Sequence, residues 1–383
     1  MKRTHFPAAA ASRPEIAPLT SLRFVAALYV FLFHIQIRWP LAEAGSLWWS
    51  VLSNGAVGMS IFFILSGFVL GHRYGPEVDD KRDFYVNRIA RIYPIYLTAA
   101  IVTLPWLGIS LHDDEGGLSW HAAAKLAFVV AANAGGAQAW FPSMFGYWND
   151  SASWSISVEG FYYLLCPVLL GALARLKLRA LVLAGLTTGL IGALPGVGMV
   201  LSHGAIASPL VLYILPIFRL PEFVLGICIF LLAARVARVG RGGVWAGALL
   251  ALFLLYMGMA GPHQWSWVSH DIVVFPIVAG LIFLLAKSDG GLARALSGGP
   301  CVWLGKISYC FYSFQPLVLF FLVSHARDLP SWLTFGGSHW AICGLAFAAL
   351  LAISAAAYHL IEEPCRRGIR RRLGSRPSPS SLG

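Results

Sequence analysis

Ten apolar runs, each close to the length of one bilayer crossing, follow one another along this chain with short polar or basic loops between them. A helix of about 20 residues crosses the ~30 Å hydrocarbon core of a membrane, where backbone polar groups can pair only with one another. That leaves one architecture: an all-α, polytopic integral membrane helical bundle. The runs predict about ten transmembrane helices, near residues 19–39, 50–71, 85–107, 154–174, 178–199, 209–233, 244–260, 271–287, 300–324 and 340–361. Composition agrees, since 58% of the 383 residues are hydrophobic and only 12% are charged, unlike a soluble domain.

Lys and Arg cluster in alternate loops: Lys2/Arg3/Arg13, Arg73/Lys81/Arg82, Arg175/Lys177/Arg179, Arg235/Arg238/Arg241, Lys287/Arg294 and Arg366–Arg372. The positive-inside rule puts that side, with both termini, in the cytoplasm. The alternation requires the moderately apolar stretch 121–136 to lie at the interface or re-enter rather than span. The formal charge of +11 is therefore a topology signal and not a nucleic-acid footprint. Residues 1–18 are expected to form a cytoplasmic tail, 19–367 a single transmembrane domain and 368–383 a Ser/Pro-rich disordered tail. No cleavage site follows the Pro/Ala-rich start, so the first run is expected to stay as a helix of a multi-pass protein of the inner (plasma) membrane. The six cysteines form no CxxC pair, and neither a metal site nor a disulfide framework is expected.

Ionisable side chains in hydrocarbon are expensive and mark function by default. His34 lies inside the first run, with Arg23 eleven residues upstream, roughly 16 Å along a helix. Glu159, five residues after Trp154, is expected at a depth similar to that of His34, so that a base and an acid meet. Arg88 and Arg91, three apart, share a face at the cytoplasmic start of the third helix and suit a phosphate-bearing ligand. Each also has a structural reading: a helix-bridging histidine, a snorkelling Arg23, membrane anchors at Arg88 and Arg91, a Glu159 paired with an arginine, an interfacial Trp154, an N-cap Ser153 and a mutual Arg219–Glu222 ion pair beside Pro216 and Pro221.

Several blocks in order resemble the membrane-bound acyltransferase-3 family over roughly 19–367. They are Leu19-Thr20-Ser21-Leu22-Arg23-Phe24 with His34, Gly58–Phe68, Arg88-Ile89-Ala90-Arg91-Ile92-Tyr93-Pro94, Ser153–Tyr163, Arg219-Leu220-Pro221-Glu222-Phe223, Leu304–Tyr309 and Leu360–Pro364. The resemblance implies an O-acyltransferase that moves an acyl group, acetyl by family expectation, from cytosolic acyl-coenzyme A to a hydroxyl, most often of a sugar in an exported glycan. It assigns His34, Glu159 and Arg23 to catalysis, Arg88 and Arg91 to the acyl-coenzyme A donor, and Tyr162, Trp154 and Gln315 to the acceptor side. His34 would act as general base, a role suited to an imidazole of ordinary pKa ~6.5; a transient acyl-histidine is the other chemical route. Gln315 stands near where many relatives carry a second histidine, and it cannot titrate. The extracytoplasmic domain that some relatives append is not seen in this sequence. A transporter or flippase with a charged path is the competing class, although no inverted repeat is visible.

Overall fold

The computed structural model describes residues 14–111, 119–148, 150–205, 208–260, 267–325 and 328–374. The N-terminal Lys2, Arg3 and Arg13 and residues 375–383 of the expected tail lie outside them. Among the described residues there are helices and no strands. In chain order these are α1 (Ala17–Arg38), α2 (Leu47–Ser53), α3 (Gly58–Tyr74), α4 (Lys81–Val102), α5 (Trp120–Ala134), α6 (Asp150–Ala174), α7 (Leu178–Leu201), α8 (Pro209–Ile214) and α9 (Pro216–Ala233). There follow α10 (Gly242–Ala260), α11 (Asp271–Lys287), α12 (Leu292–Leu296), α13 (Gly299–Ser313), α14 (Gln315–His325), α15 (Ser331–Thr334), α16 (His339–Ala357) and α17 (Glu363–Leu373). A π-turn, Tyr358–Glu362, joins the last two.

Among the described residues, eight helical stretches are long and apolar enough to cross a membrane, or nine if the bent pair α13–α14 counts as one span. The 22-residue α4, with Lys81, Arg82, Asp83, Arg88 and Arg91, falls outside that count. At 15 residues, α5 is about 22 Å long, too short to span.

Three expected spans are broken. The expected helix 300–324 bends by 55° between α13 and α14, because Pro316 has no N–H and its ring opposes the carbonyl one turn back. The run at 209–233 breaks at Leu215, immediately before Pro216, where extended backbone is favoured. The run starting at 50 is divided by a 3-10 turn at Gly55–Val57. At the C-terminal end the chain stays helical through Leu373, so residues 368–373 belong to α17 rather than to a disordered tail. Local capping follows the sequence: Ser46, Asp80 and Ser119 accept from backbone N–H groups at the starts of α2, α4 and α5.

Helix α1 lies between two apolar clusters. Leu19, Leu22, Ala26, Val30 and Phe33 pack toward α3, α6, α9 and α11, while Phe24, Ala27, Phe31 and Ile35 pack toward α13, α14 and α16. Residues 23 and 34 differ by three helical turns to within about 20°, so Arg23 and His34 share one face, separated along the axis. Small residues let neighbouring backbones touch. A Cβ on Gly67 would lie 2.0 Å from the Phe223 carbonyl oxygen, one on Gly226 2.0 Å from that of Ile64, and one on Gly305 2.1 Å from that of Thr20. These crossings fix α3 on α9 and α13 on α1.

Candidate active site

Two cavities lie along α1. The inner one, toward the end of the bundle that carries Arg73 and α17, has about 730 Å3 of empty space counting its open mouth. Its wall takes Met59 to Leu70 of α3, about 16 Å along the axis, with Arg23 of α1, Arg88 and Arg91 of α4, Glu159 and Tyr163 of α6, and Tyr309 of α13. The lining thus carries three guanidinium groups and one carboxylate, with the carboxylates of Glu362 and Glu15 also acting on the arginines from outside it. Glu159 Oε2 accepts from the Tyr163 hydroxyl at 2.8 Å. Arg88 Nη2 donates to the Tyr74 hydroxyl at 3.4 Å, and its guanidinium sits 5.6 and 5.8 Å from the ring centres of Tyr74 and Tyr163. Its Nε is buried without a hydrogen-bond partner among the described residues. Such a nitrogen is a donor available to an anion.

The outer cavity has less empty space, about 380 Å3 counting its open mouth, and its wall is mostly aromatic: Phe33, Phe145, Trp154, Tyr213 and Tyr312, with Val30, Ala56, Met59 and His34. His34 Nδ1 lies 3.2 Å from Gln315 Oε1, and Gln315 Nε2 donates to the Ala27 carbonyl at 3.2 Å. The amide nitrogen is committed to Ala27, so the oxygen faces the ring and Nδ1 must carry the proton. His34 Nε2 is left as the ring atom able to accept one. Met59 and Tyr312 line both cavities. The Tyr312 hydroxyl accepts from Ser155 Oγ at 2.9 Å.

The structure separates residues that the sequence grouped. Glu159 does not accompany His34; it lines the arginine cavity. Helix α6 begins at Asp150, so Glu159 lies nine residues, about 13 Å, from that end, whereas His34 is four residues, about 6 Å, from the end of α1. Ser153 is accordingly inside α6 instead of capping it, and its carbonyl accepts from Gln138 Nε2 at 2.8 Å. Arg23 also belongs to the arginine cavity. Trp154 and Gln315 stand beside His34, as a wall residue and as its hydrogen-bond partner.

Tyr162 lines neither cavity: its ring stacks on Phe223 at 4.6 Å and its hydroxyl donates to the Arg219 carbonyl at 2.6 Å. The next residue, Tyr163, points into the cavity with Glu159, one turn away on the same face.

Arg219 and Glu222 form an ion pair at 2.9 Å, and Arg219 also meets Asp271 at 3.9 Å; the three are 2%, 1% and 2% exposed. Arg219 Nη2 donates to Ser60 Oγ at 3.0 Å, and its guanidinium is about 5 Å from the rings of Phe63 and Tyr213, which tie the ion cluster to the walls of both cavities. Asp271, Tyr163 and Tyr312 escaped the sequence reading. Asp271 was visible as an isolated acid at the head of an apolar run, and Tyr163 as the residue one turn after Glu159.

Residues 17–358 match the family described as acyltransferase domain, Acyl_transf_3. The chain belongs to the acyltransferase-3 family. It is 30% identical to acyltransferase MdmB of Streptomyces mycarofaciens over 394 aligned residues, covering 96% of each protein. It is 23% identical to O-acetyltransferase OatA of Staphylococcus aureus over 92% of this chain but 58% of that protein. No solved structure matches. This member of the acyltransferase-3 family is thus a membrane-embedded transferase whose acyl donor and acceptor must be reached from the geometry of its cavities.

Proposed function

We propose that this protein is an O-acyltransferase of the inner membrane that moves an acyl group, acetyl in the simplest case, from cytosolic acyl-coenzyme A to a hydroxyl of an acceptor at the outer face. The observation that carries this reading is the arrangement of an arginine-lined cavity and a His34 cavity back to back, with Met59 and Tyr312 in the wall of both. The basic clusters beside Arg73 and on α17 support a cytoplasmic side for the arginine cavity. The coenzyme's phosphates bind there to Arg88 and Arg91, with Arg23 deeper on the same wall. The Glu159 carboxylate in the same lining offsets the mutual repulsion of the guanidinium groups, and the Tyr163 ring lies against that of Arg88. The thioester reaches the shared wall.

On the other side the acceptor enters the aromatic cavity. The flat faces of Trp154, Tyr213 and Tyr312 suit the C–H face of a sugar ring, and a saccharide unit of an exported glycan is the acceptor class this reading favours. His34 Nε2 takes the proton of the attacking hydroxyl, and Gln315 holds the Nδ1–H tautomer that makes this direction available. The hydroxyl oxygen bonds to the thioester carbonyl carbon, the carbon–sulfur bond breaks with its electron pair on sulfur, and the imidazolium returns the proton to the thiolate. The Tyr312 hydroxyl, at the wall between the cavities, stands where it can donate to the carbonyl oxygen as charge develops.

The test is thiol release from acetyl-coenzyme A by the purified protein in detergent, with a sugar acceptor present. Release in the wild type, lost in His34→Ala and weakened through donor KM in Arg88→Ala/Arg91→Ala, supports the reading. A wild type that neither binds nor consumes acetyl-coenzyme A overturns it.

A further inference from the structure

The wall between the two cavities is built from two side chains of unequal freedom. Tyr312 is held at both ends: its hydroxyl accepts from Ser155 Oγ at 2.9 Å, and its ring packs near Phe62 at 6.0 Å between centres. Met59, the second residue of α3, is an unbranched thioether, 4% exposed, able to take several rotamers at little cost. Its backbone stands at the outer limit of the inner cavity, where Phe62 and Phe63 continue the wall. For an acceptor oxygen beside His34 to reach the thioester carbonyl, that carbonyl must sit at this shared wall. Whatever follows the carbonyl must then lie against Met59 and the two phenylalanines, which offer no polar partner.

We propose that Met59 closes the acyl slot and sets the length of acyl chain the protein transfers, admitting acetyl and turning away butyryl. The inference rests on the donor reading above, and it adds a specificity-determining residue to it. A methylene that an apolar pocket must accommodate or reject is worth about 10–200-fold in kcat/KM. Shortening Met59 to a methyl group opens that room without touching the arginines that bind the coenzyme.

The experiment compares thiol release from acetyl- and butyryl-coenzyme A by the full-length wild type, Met59→Ala and Met59→Val, with coenzyme A affinity measured for each. The expected result is a wild type that prefers acetyl, and a butyryl-to-acetyl ratio of kcat/KM that rises at least about tenfold in Met59→Ala and part of the way in Met59→Val. Where Met59→Ala no longer binds coenzyme A and so has lost its fold, Met59→Val decides. A ratio within about twofold of the wild type in variants that bind coenzyme A normally overturns the role of Met59 and leaves the acyltransferase reading standing. A wild type that already prefers butyryl overturns it too. A wild type that uses neither thioester removes the donor reading itself, and this inference with it.

Discussion

Gln315 is held to α1 by both ends of its amide: Oε1 accepts from His34 Nδ1 at 3.2 Å, and Nε2 donates to the Ala27 carbonyl at 3.2 Å, two turns away on the same helix. A glutamine whose two ends are both engaged cannot flip without losing both bonds, so it acts as a fixed orienting group for the imidazole. Its replacement by leucine should lower kcat by about 10–100-fold while leaving the KM for acyl-coenzyme A in place. Steady-state kinetics with both substrates checks this; an equal loss in donor binding would mean that Gln315 is a general structural support.

His34→Ala should lower kcat by about 10²–10⁴-fold, the usual contribution of a positioned general base. The pH dependence carries a sign. Only the neutral ring has a lone pair on Nε2, so wild-type turnover should fall as the pH drops and the imidazole takes up a proton, whereas the residual activity of His34→Ala should lack that limb. A pH–rate profile of the two proteins distinguishes the cases.

Arg88 and Arg91 should act on donor binding. Each charge-assisted contact to a phosphate is worth about 1.5–3 kcal/mol, so either alanine variant should raise the donor KM by about 10–100-fold with a smaller change in kcat. Lysine at 88 should not restore it, because the Arg88 guanidinium stands over the Tyr74 and Tyr163 rings and donates to the Tyr74 hydroxyl with a fork that lysine lacks. Titration of coenzyme A binding by calorimetry gives the affinities directly.

Adjacent tyrosines should respond differently. Tyr162→Phe removes one buried hydrogen bond, to the Arg219 carbonyl, and should cost about 1 kcal/mol of stability with turnover preserved. Tyr163→Phe removes the donor to Glu159 in the arginine cavity and should raise the donor KM while stability changes less. Thermal unfolding in detergent alongside kinetics separates the two.

Glu222→Ala should be among the most damaging substitutions, since it strands Arg219 in a place that is 2% exposed. Breaking a buried pair costs about 3–5 kcal/mol. Asp271 keeps a second carboxylate 3.9 Å from Arg219, so the loss should sit at the lower end of that range. The unfolding midpoint and the yield of inserted protein report it.

Much of the fold was legible because hydrocarbon permits so few backbone arrangements. The runs that became α7, α10 and α11 were readable to within a few residues, whereas 209–233 and 300–324 read as single spans because hydropathy does not register the breaks that Pro216 and Pro316 impose. The site was legible residue by residue but not as an assembly. His34, Arg23, Arg88, Arg91 and Glu159 all line cavities, yet the depth of Glu159 depended on where α6 begins, and four residues before Trp154 moved it from the His34 cavity to the arginine cavity. Tyr162 and Tyr163 are indistinguishable in a run that is apolar on nearly every side, because which of two neighbours faces a cavity depends on the rotation of α6 about its own axis. Gln315 was recognised as a departure from the family pattern, but its bond to His34 joins residues 281 positions apart and no spacing rule reaches that far.

The glycine crossings bear on how the cavities can breathe. Gly67 against Phe223 and Gly226 against Ile64 leave no room for α3 to slide on α9, and Gly305 against Thr20 does the same for α13 on α1. Met59, Tyr312 and His34 therefore ride on two clamped helix pairs, a rigid jaw that keeps its shape through a catalytic cycle. The three arginines of the inner cavity divide along the same line: Arg23 rides on the clamped α1 with the imidazole, whereas Arg88 and Arg91 belong to α4, outside both clamped pairs.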